Sequence, residues 1–217
     1  ADTNLTKGKK IQKNDKNIIL IKCNVNLDRD IDNLIIKSKK LFKKIDTVIY
    51  CAYPRSIKWG KSFEKLERKY LNIDLNNHLG SSIIFSQKII KMFMDQKYGN
   101  LIHFSSIQAI GAPKFNHYKD TKMTSPIEYS AMKAGIVSIT KYLAKLYKKK
   151  NVRVNCISPG GIIDGQSKKF LIKYKADCGT KGMLDPKDIL STVEFLISEN
   201  SKYITGQNVV VDDGWSL

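Results

Sequence analysis

Tyr129 and Lys133 stand four residues apart in the segment EYSAMKAG. On a helix this spacing puts both side chains on one face. An ammonium near a phenol favours the phenolate and lowers the phenol's pKa. Tyr129 is therefore a candidate general acid–base for chemistry near neutral pH. The apolar run before it, LIHFS, ends at Ser105 and is followed by Ser106. A hydroxyl there can hydrogen-bond a substrate carbonyl or alcohol beside Tyr129. The apolar run after it ends in SPGG, a tight turn where backbone can approach a ligand closely. Alone, the Tyr–Lys spacing is also that of an ordinary surface pair. The serines and the glycine turn give it context.

These residues need a frame. Short apolar runs at residues 18–23, 47–51, 101–105, 152–158 and 208–212 read as strands. Helical patterns separate them. One covers residues 28–44. Another starts with Ser62 as cap and runs from Phe63 to about Phe93, with a break near Asn72. A third opens at Pro126 and reaches about Lys150, and a fourth has Asp185 as cap and ends near Ser198. Alternating strands and helices with continuous apolar strands predict a parallel sheet covered on both faces. Ligands of such sheets bind outside the strand C-termini. Residues 107–127 and 160–184 read as long irregular stretches, of the length used for lids and binding loops. The whole chain, residues 1–217, reads as a single α/β domain.

Composition excludes more than it identifies. The formal net charge is +18, from 38 basic and 20 acidic residues. Only Arg29, Arg55, Arg68 and Arg153 are arginines, and the lysines spread along the chain. Nucleic-acid recognition enlists the bidentate fork of Arg, so neither nucleic acid nor a membrane surface is the expected partner. Abundant Lys, Ile and Asn fit the codon bias of an AT-rich genome. No apolar run is long enough for a membrane span. The four cysteines form no C-x-x-C pair and the histidines lack metal-ligand spacing, so reduced thiols, no metal and a cytoplasmic setting are expected.

Several motifs in order resemble the short-chain dehydrogenase/reductase family: FSS, YSAMK, VRVNCISPGGI and ITGQNVVVDDGW, with NNHLG similar to the family's Asn-x-x-Gly. The resemblance covers nearly the whole chain. It implies a Rossmann-type doubly wound parallel sheet and an enzyme that moves a hydride between a nicotinamide cofactor and a carbinol or ketone carbon. It also implies roles. Tyr129 is the acid–base, and Lys133 lowers its pKa and holds the nicotinamide ribose. Ser106 orients the substrate oxygen, and Asn77 holds a proton-relay water. Asn24 and Val25 line the adenine, Ala52 remains from the family's Asn-Asn-Ala-Gly, and Pro159 and Ile162 face the nicotinamide. Asp2 matches the acidic residue that holds the adenosine ribose, which favours NAD over NADP because a carboxylate repels a 2′-phosphate.

The first strand, glycine-rich turn and first helix of the family have no counterpart here. Gly8 is the only glycine before Gly60. The chain therefore reads as an N-terminally truncated piece, expected to lack tight cofactor binding by itself. AYPRS (residues 52–56) and the long segment between Ser106 and Tyr129 resemble a bacterial subgroup associated with flagellin modification and nonulosonic acid biosynthesis. That resemblance implies a small-molecule substrate such as a sugar phosphate or nucleotide sugar, with Arg55 a candidate for its acidic group. Family resemblance and apolar residues on more than one helix face imply a homotetramer or homodimer. The alternative reading is a non-catalytic dinucleotide-binding or regulatory protein on the same scaffold.

Overall fold

The computed structural model describes residues 1–217. Its sheet has four parallel strands in the order β1-β2-β3-β4: β1 (Thr47–Tyr50), β2 (Gly99–Phe104), β3 (Val152–Pro159) and β4 (Asn208–Val211). Every β3 residue except Arg153 is buried, which explains its mostly apolar sequence, with Asn155 and Ser158 as buried polar exceptions. Alternation sends side chains to two faces. Leu101 and Val154 pack with Ile31, Phe85 and Phe93 beneath α2 (Asp28–Phe42), α4 (Ser81–Gln96) and α5 (Ile127–Leu146). Ile102 and Ile157 pack the other way, against Ile189 and Leu196 at α7 (Leu190–Ile197). A smaller apolar cluster of Ile107, Phe170, Tyr174, Met183 and Trp215 sits beyond the strand ends.

Residues 18–23 do not form the expected sheet strand. Their only ladder is an isolated parallel bridge, Asp2 with Lys22, held by Asp2 N–H to the Ile21 carbonyl (3.2 Å) and Cys23 N–H to the Asp2 carbonyl (3.0 Å). A strand assignment needs a neighbour that pairs along its length. β1 pairs only with β2, so this segment has only the short stretch at Asp2. The sheet consequently winds in one direction from β1 to β4, with the Asp2–Lys22 bridge outside it.

The helix expected from Phe63 to Phe93 is divided. A 3₁₀ turn, Phe63–Lys65, is followed by extended backbone at Leu66 and Glu67. Then α3 (Arg68–Leu75), a π-helical turn (Asn76–Gly80) and α4 run on as one rod. The break therefore falls at Leu66–Glu67 rather than near Asn72. Two helices were not legible as such: α1 (Thr6–Asn14), which buries nothing, and α6 (Lys168–Lys175), inside the stretch read as irregular. Ser167 caps α6 by accepting from Phe170 N–H at 3.3 Å, and Phe170 and Tyr174, four apart, point inward. No helix is long and apolar enough to cross a membrane.

Candidate functional site

Two adjoining cavities are present: one of about 550 Å³ runs along the whole of β1, from Ile45 to Pro54, and one of about 400 Å³ opens at the C-terminal ends of β2 and β3. Cys51 and Tyr53, just past β1, line both.

The smaller cavity gathers Ser106, Tyr129, Lys133, Pro159 and Ile162. β2 delivers the serines and α5 delivers Tyr129 and Lys133 one turn apart. The two serines differ in use. Ser105 donates its hydroxyl to the Lys133 carbonyl at 2.8 Å and ties β2 to α5. Ser106 accepts from Gln108 N–H at 3.2 Å, which leaves its own proton free to donate.

Lys133 is buried and donates from Nζ to the Phe104 carbonyl at 2.9 Å. Burial lowers its pKa from the ordinary 10.5 to about 8. Tyr129 was expected to have a lowered pKa; in the structure burial pushes it up, opposed by the Ser106 hydroxyl. The reason is geometric. The Lys133 ammonium lies over the Tyr129 ring, 5.6 Å from its centroid, and is hydrogen-bonded to backbone rather than to the phenol.

Asn77 is half-buried in the π-helical turn and lines neither cavity. Its neighbour His78 is fully buried and packs edge-on against Tyr53, ring centroids 5.3 Å apart. Tyr53 in turn meets Tyr129 edge-on at 5.7 Å and lies under Lys133 Nζ at 5.5 Å. Arg55 is exposed, with its guanidinium over the Tyr53 ring at 5.2 Å.

The larger cavity gathers Asp2, Asn24, Val25 and Ala52. Asp2 Oδ1 accepts from Asn4 N–H at 2.9 Å, and Oδ2 has no hydrogen bond in the chain. Asn24 Oδ1 accepts from Asn26 N–H at 3.1 Å. Val25 and Ala52 pack against the main core.

The SPGG turn is constrained by close packing. A Cβ at Gly160 would lie 2.9 Å from the Asp212 Cα, and one at Gly161 would lie 2.8 Å from the Met183 methyl. Gly161 N–H donates to the Tyr174 hydroxyl at 2.6 Å. His117 and Tyr118, from the long segment between Ser106 and Tyr129 read as a candidate pocket wall, line the smaller cavity; Tyr53, Tyr174 and Trp215 line it too and were not assigned to the site by sequence reasoning. The one signal for α6 was the Ser167 cap followed by Phe170 and Tyr174 at helical spacing.

Residues 2–216 match the family model described as enoyl-(acyl carrier protein) reductase. The chain is 41% identical over 203 residues to the post-translational flagellin modification protein A of Campylobacter coli, covering 93% of this chain and 79% of that one. It is 30% identical over 189 residues to a 7alpha-hydroxysteroid dehydrogenase of Bacteroides fragilis, covering 85% of this chain and 69% of that one. Among solved structures it is similar to a short chain dehydrogenase from Leptospira borgpetersenii with bound NAD+, at 30% identity and a TM-score of 0.82, covering 91% and 75% of the two chains. A 4-hydroxyisoleucine dehydrogenase complexed with NADH and succinate gives 26% identity and a TM-score of 0.81, covering 99% and 86%. A match that runs from residue 2 to residue 216, on a parallel sheet of this order, establishes that the chain belongs to the short-chain dehydrogenase/reductase family of oxidoreductases.

Proposed function

We propose that this protein transfers a hydride between NAD(H) and a carbinol or ketone carbon of a small, hydroxylated substrate, a sugar phosphate or nucleotide sugar. The observation that carries the reading is the convergence of Ser106, Tyr129 and Lys133 on one cavity at the sheet's C-terminal edge. The substrate class is supported by the 41% identity to a flagellin modification protein.

The residues fit the two ends of a nicotinamide dinucleotide. Asp2 Oδ2 is free to accept from ribose hydroxyls, and Val25 and Ala52 offer apolar walls for an adenine. Pro159 and Ile162 lie beside Tyr129 in the cavity that Cys51 and Tyr53 join to the first. A bound nicotinamide supplies the hydride acceptor or donor. The chain's own residues manage the proton. Ser106 Oγ–H donates to the substrate oxygen and orients it. Tyr129 Oη removes the hydroxyl proton in oxidation and returns it in reduction. Lys133, charged below about pH 8, stabilises the phenolate formed on proton transfer. Asn77, in the turn next to this site, is the residue proposed to hold a relay water.

Asp2 supports NAD over NADP, since a 2′-phosphate would meet a carboxylate. We expect NADH to bind more tightly than NADPH in calorimetric titration. Asp2→Ala narrows the difference; tighter NADPH binding by the unmodified chain would rule Asp2 out as the discriminating group. Four unpaired cysteines support residence in the cytoplasm.

The decisive experiment is Tyr129→Phe. Loss of a general acid–base lowers turnover by about 10²- to 10⁴-fold. We expect that loss with NADH affinity nearly unchanged, and undiminished turnover would refute the assignment. A second reading is favoured by one observation: Tyr53 packs edge-on against Tyr129, where the family has glycine. It is a non-catalytic dinucleotide-binding protein, and NADH binding without turnover of any ketone or alcohol would identify it.

A further inference from the structure

Gln108 stands two residues after Ser106, in the 3₁₀ turn (Ile107–Ala109) that follows β2. Its backbone N–H donates to Ser106 Oγ at 3.2 Å, so the two residues share one capped turn. Both side chains line the smaller cavity. Hydride transfer employs the serine and gives the glutamine side chain nothing to do.

The Gln108 carboxamide has a fixed orientation. Ser125 Oγ donates to its Oε1 at 3.0 Å, and Ser130 Oγ donates to the same oxygen at 2.9 Å. Neither serine lines the cavity, so the oxygen edge faces the start of α5. A planar amide whose oxygen is held there turns its Nε2 the other way. Nε2 makes no hydrogen bond to the chain and, unlike Trp215 Nε1 and the Tyr50 hydroxyl, it is not sealed from solvent. The side chain is half-buried rather than enclosed. Tyr118 shares this wall. Burial pushes its phenol up, and Ser125 and Gln108 oppose the rise, yet no hydrogen bond of normal geometry joins its hydroxyl to Nε2. Two amide protons are therefore left for a ligand, beside a serine whose own proton is also free.

Resting on the oxidoreductase reading of this cavity, we propose that Gln108 is a specificity-determining residue whose Nε2 donates to a second substrate oxygen, on the carbon next to the one that reacts. Ser106 and Tyr129 hold the reacting oxygen. Gln108 then selects a vicinal diol in oxidation and an α-hydroxy ketone in reduction. A substrate without that second oxygen displaces water from the amide and returns no acceptor to it, which is how a polar site rejects an apolar analogue.

The test uses the full 217-residue chain with its glutamine side-chain amides labelled with ¹⁵N. There are six glutamines, and either Gln108→Leu or Gln108→Glu assigns the Gln108 signal by removing it. The binding probes are cyclohexane-1,2-diol and cyclohexanol, titrated first without NADH and then with NADH in excess. Neither alcohol can accept a hydride, so no reaction intervenes. We expect a saturable shift of the Gln108 amide with the diol and none with cyclohexanol. The diol should bind about 10- to 100-fold more tightly than cyclohexanol, and Gln108→Leu should remove that margin. Should Gln108→Leu not fold, Gln108→Glu supplies the assignment and the wild-type comparison still decides. Turnover is read separately as NADH oxidation by 2-hydroxycyclohexanone and by cyclohexanone, in which the ketone carbon takes the hydride and its oxygen takes a proton from Tyr129. A Gln108 signal that the diol leaves unmoved, or that cyclohexanol moves equally, overturns the proposal. A Gln108 shift with no NADH oxidation by either ketone overturns the proposed function and leaves the diol contact standing. Oxidation of NADH by both ketones with equal efficiency and an unmoved signal does the reverse.

Discussion

Lys133 is held where an ammonium is least comfortable. It is buried, with one backbone carbonyl as its hydrogen-bond acceptor and two aromatic rings beneath it. Its folded pKa of about 8 lies below the unfolded 10.5, so between these values the unfolded chain binds more protons. Stability from this group is fully present above pH 10.5 and is lost as pH falls through 8. We predict that Lys133→Met abolishes turnover yet raises stability at pH 7 by roughly 1–3 kcal/mol. The variant should also lack the wild type's relative gain between pH 8 and 10.5. Urea denaturation at several pH values measures both, and a destabilised variant at pH 7 would contradict the argument. The pair's placement was legible because helical spacing fixes a shared face. The direction of the Tyr129 shift was not, because it depends on how deeply α5 buries the phenol and on which way the Lys133 side chain points. Neither is written in a four-residue interval. Trp215 was legible as part of a terminal motif, but its place on the cavity wall emerges only once the tail is folded back.

Elements that carry polar groups through the core bring their own pH dependence. His103 on β2 is fully buried between Ser86 of α4 (2.9 Å) and Thr140 of α5 (3.0 Å). His78 in the π-helical turn is buried with neither ring nitrogen paired. Burial lowers both from the ordinary 6.5 to about 4. Depressed folded values mean stability that is present above pH 6.5 and lost as pH falls through 4. Each histidine accounts for up to roughly 3 kcal/mol of that loss. The urea midpoint should therefore drop steadily from pH 6.5 to 4, and His78→Phe should flatten the fall by about half. A midpoint independent of pH in this range would show that these rings are not held neutral. At this scale the strands at residues 101–105 and 152–158 were readable because burial on both faces leaves mostly apolar runs. Residues 18–23 carry the same kind of run, yet a run records burial and not pairing, and no neighbour pairs along them. α1 was hidden for the opposite reason: it buries nothing, so no apolar face marks it.

Across the whole molecule, α4 and α5 leave apolar side chains outside the core. Ile83 and Ile84 on α4 and Ile127, Tyr142 and Leu146 on α5 are exposed. The sheet covers one face of each helix, and contiguous exposed apolar surface marks an interface or an aggregation hazard. We predict self-association through these helices into a dimer or tetramer, read as mass by light scattering. Ile83→Lys with Tyr142→Lys should lower that mass to one chain while preserving the far-ultraviolet circular dichroism spectrum. An unmodified chain that scatters as a monomer would leave these residues without the partner proposed for them.

The lone bridge between Asp2 and Lys22 has a consequence for proteolysis. The two backbone hydrogen bonds at Asp2 and the one from Gln12 Nε2 to the Ile18 carbonyl (2.8 Å) run within the first 22 residues or to Cys23 beside them, so they tie this stretch to itself more than to the sheet. Regions with few buried contacts open at a small fraction of the global unfolding free energy. Six lysines, from Lys7 to Lys22, lie in that stretch. Trypsin should therefore trim this end in the first minutes of digestion, before any cut in α4 or β3, and the remaining fragment should keep its sheet. It would lose Asp2, and with it the carboxylate wall of the larger cavity. A dinucleotide seated there would slow the clipping in proportion to its occupancy, so the rate at which the band shortens on a gel becomes a binding assay that needs no substrate.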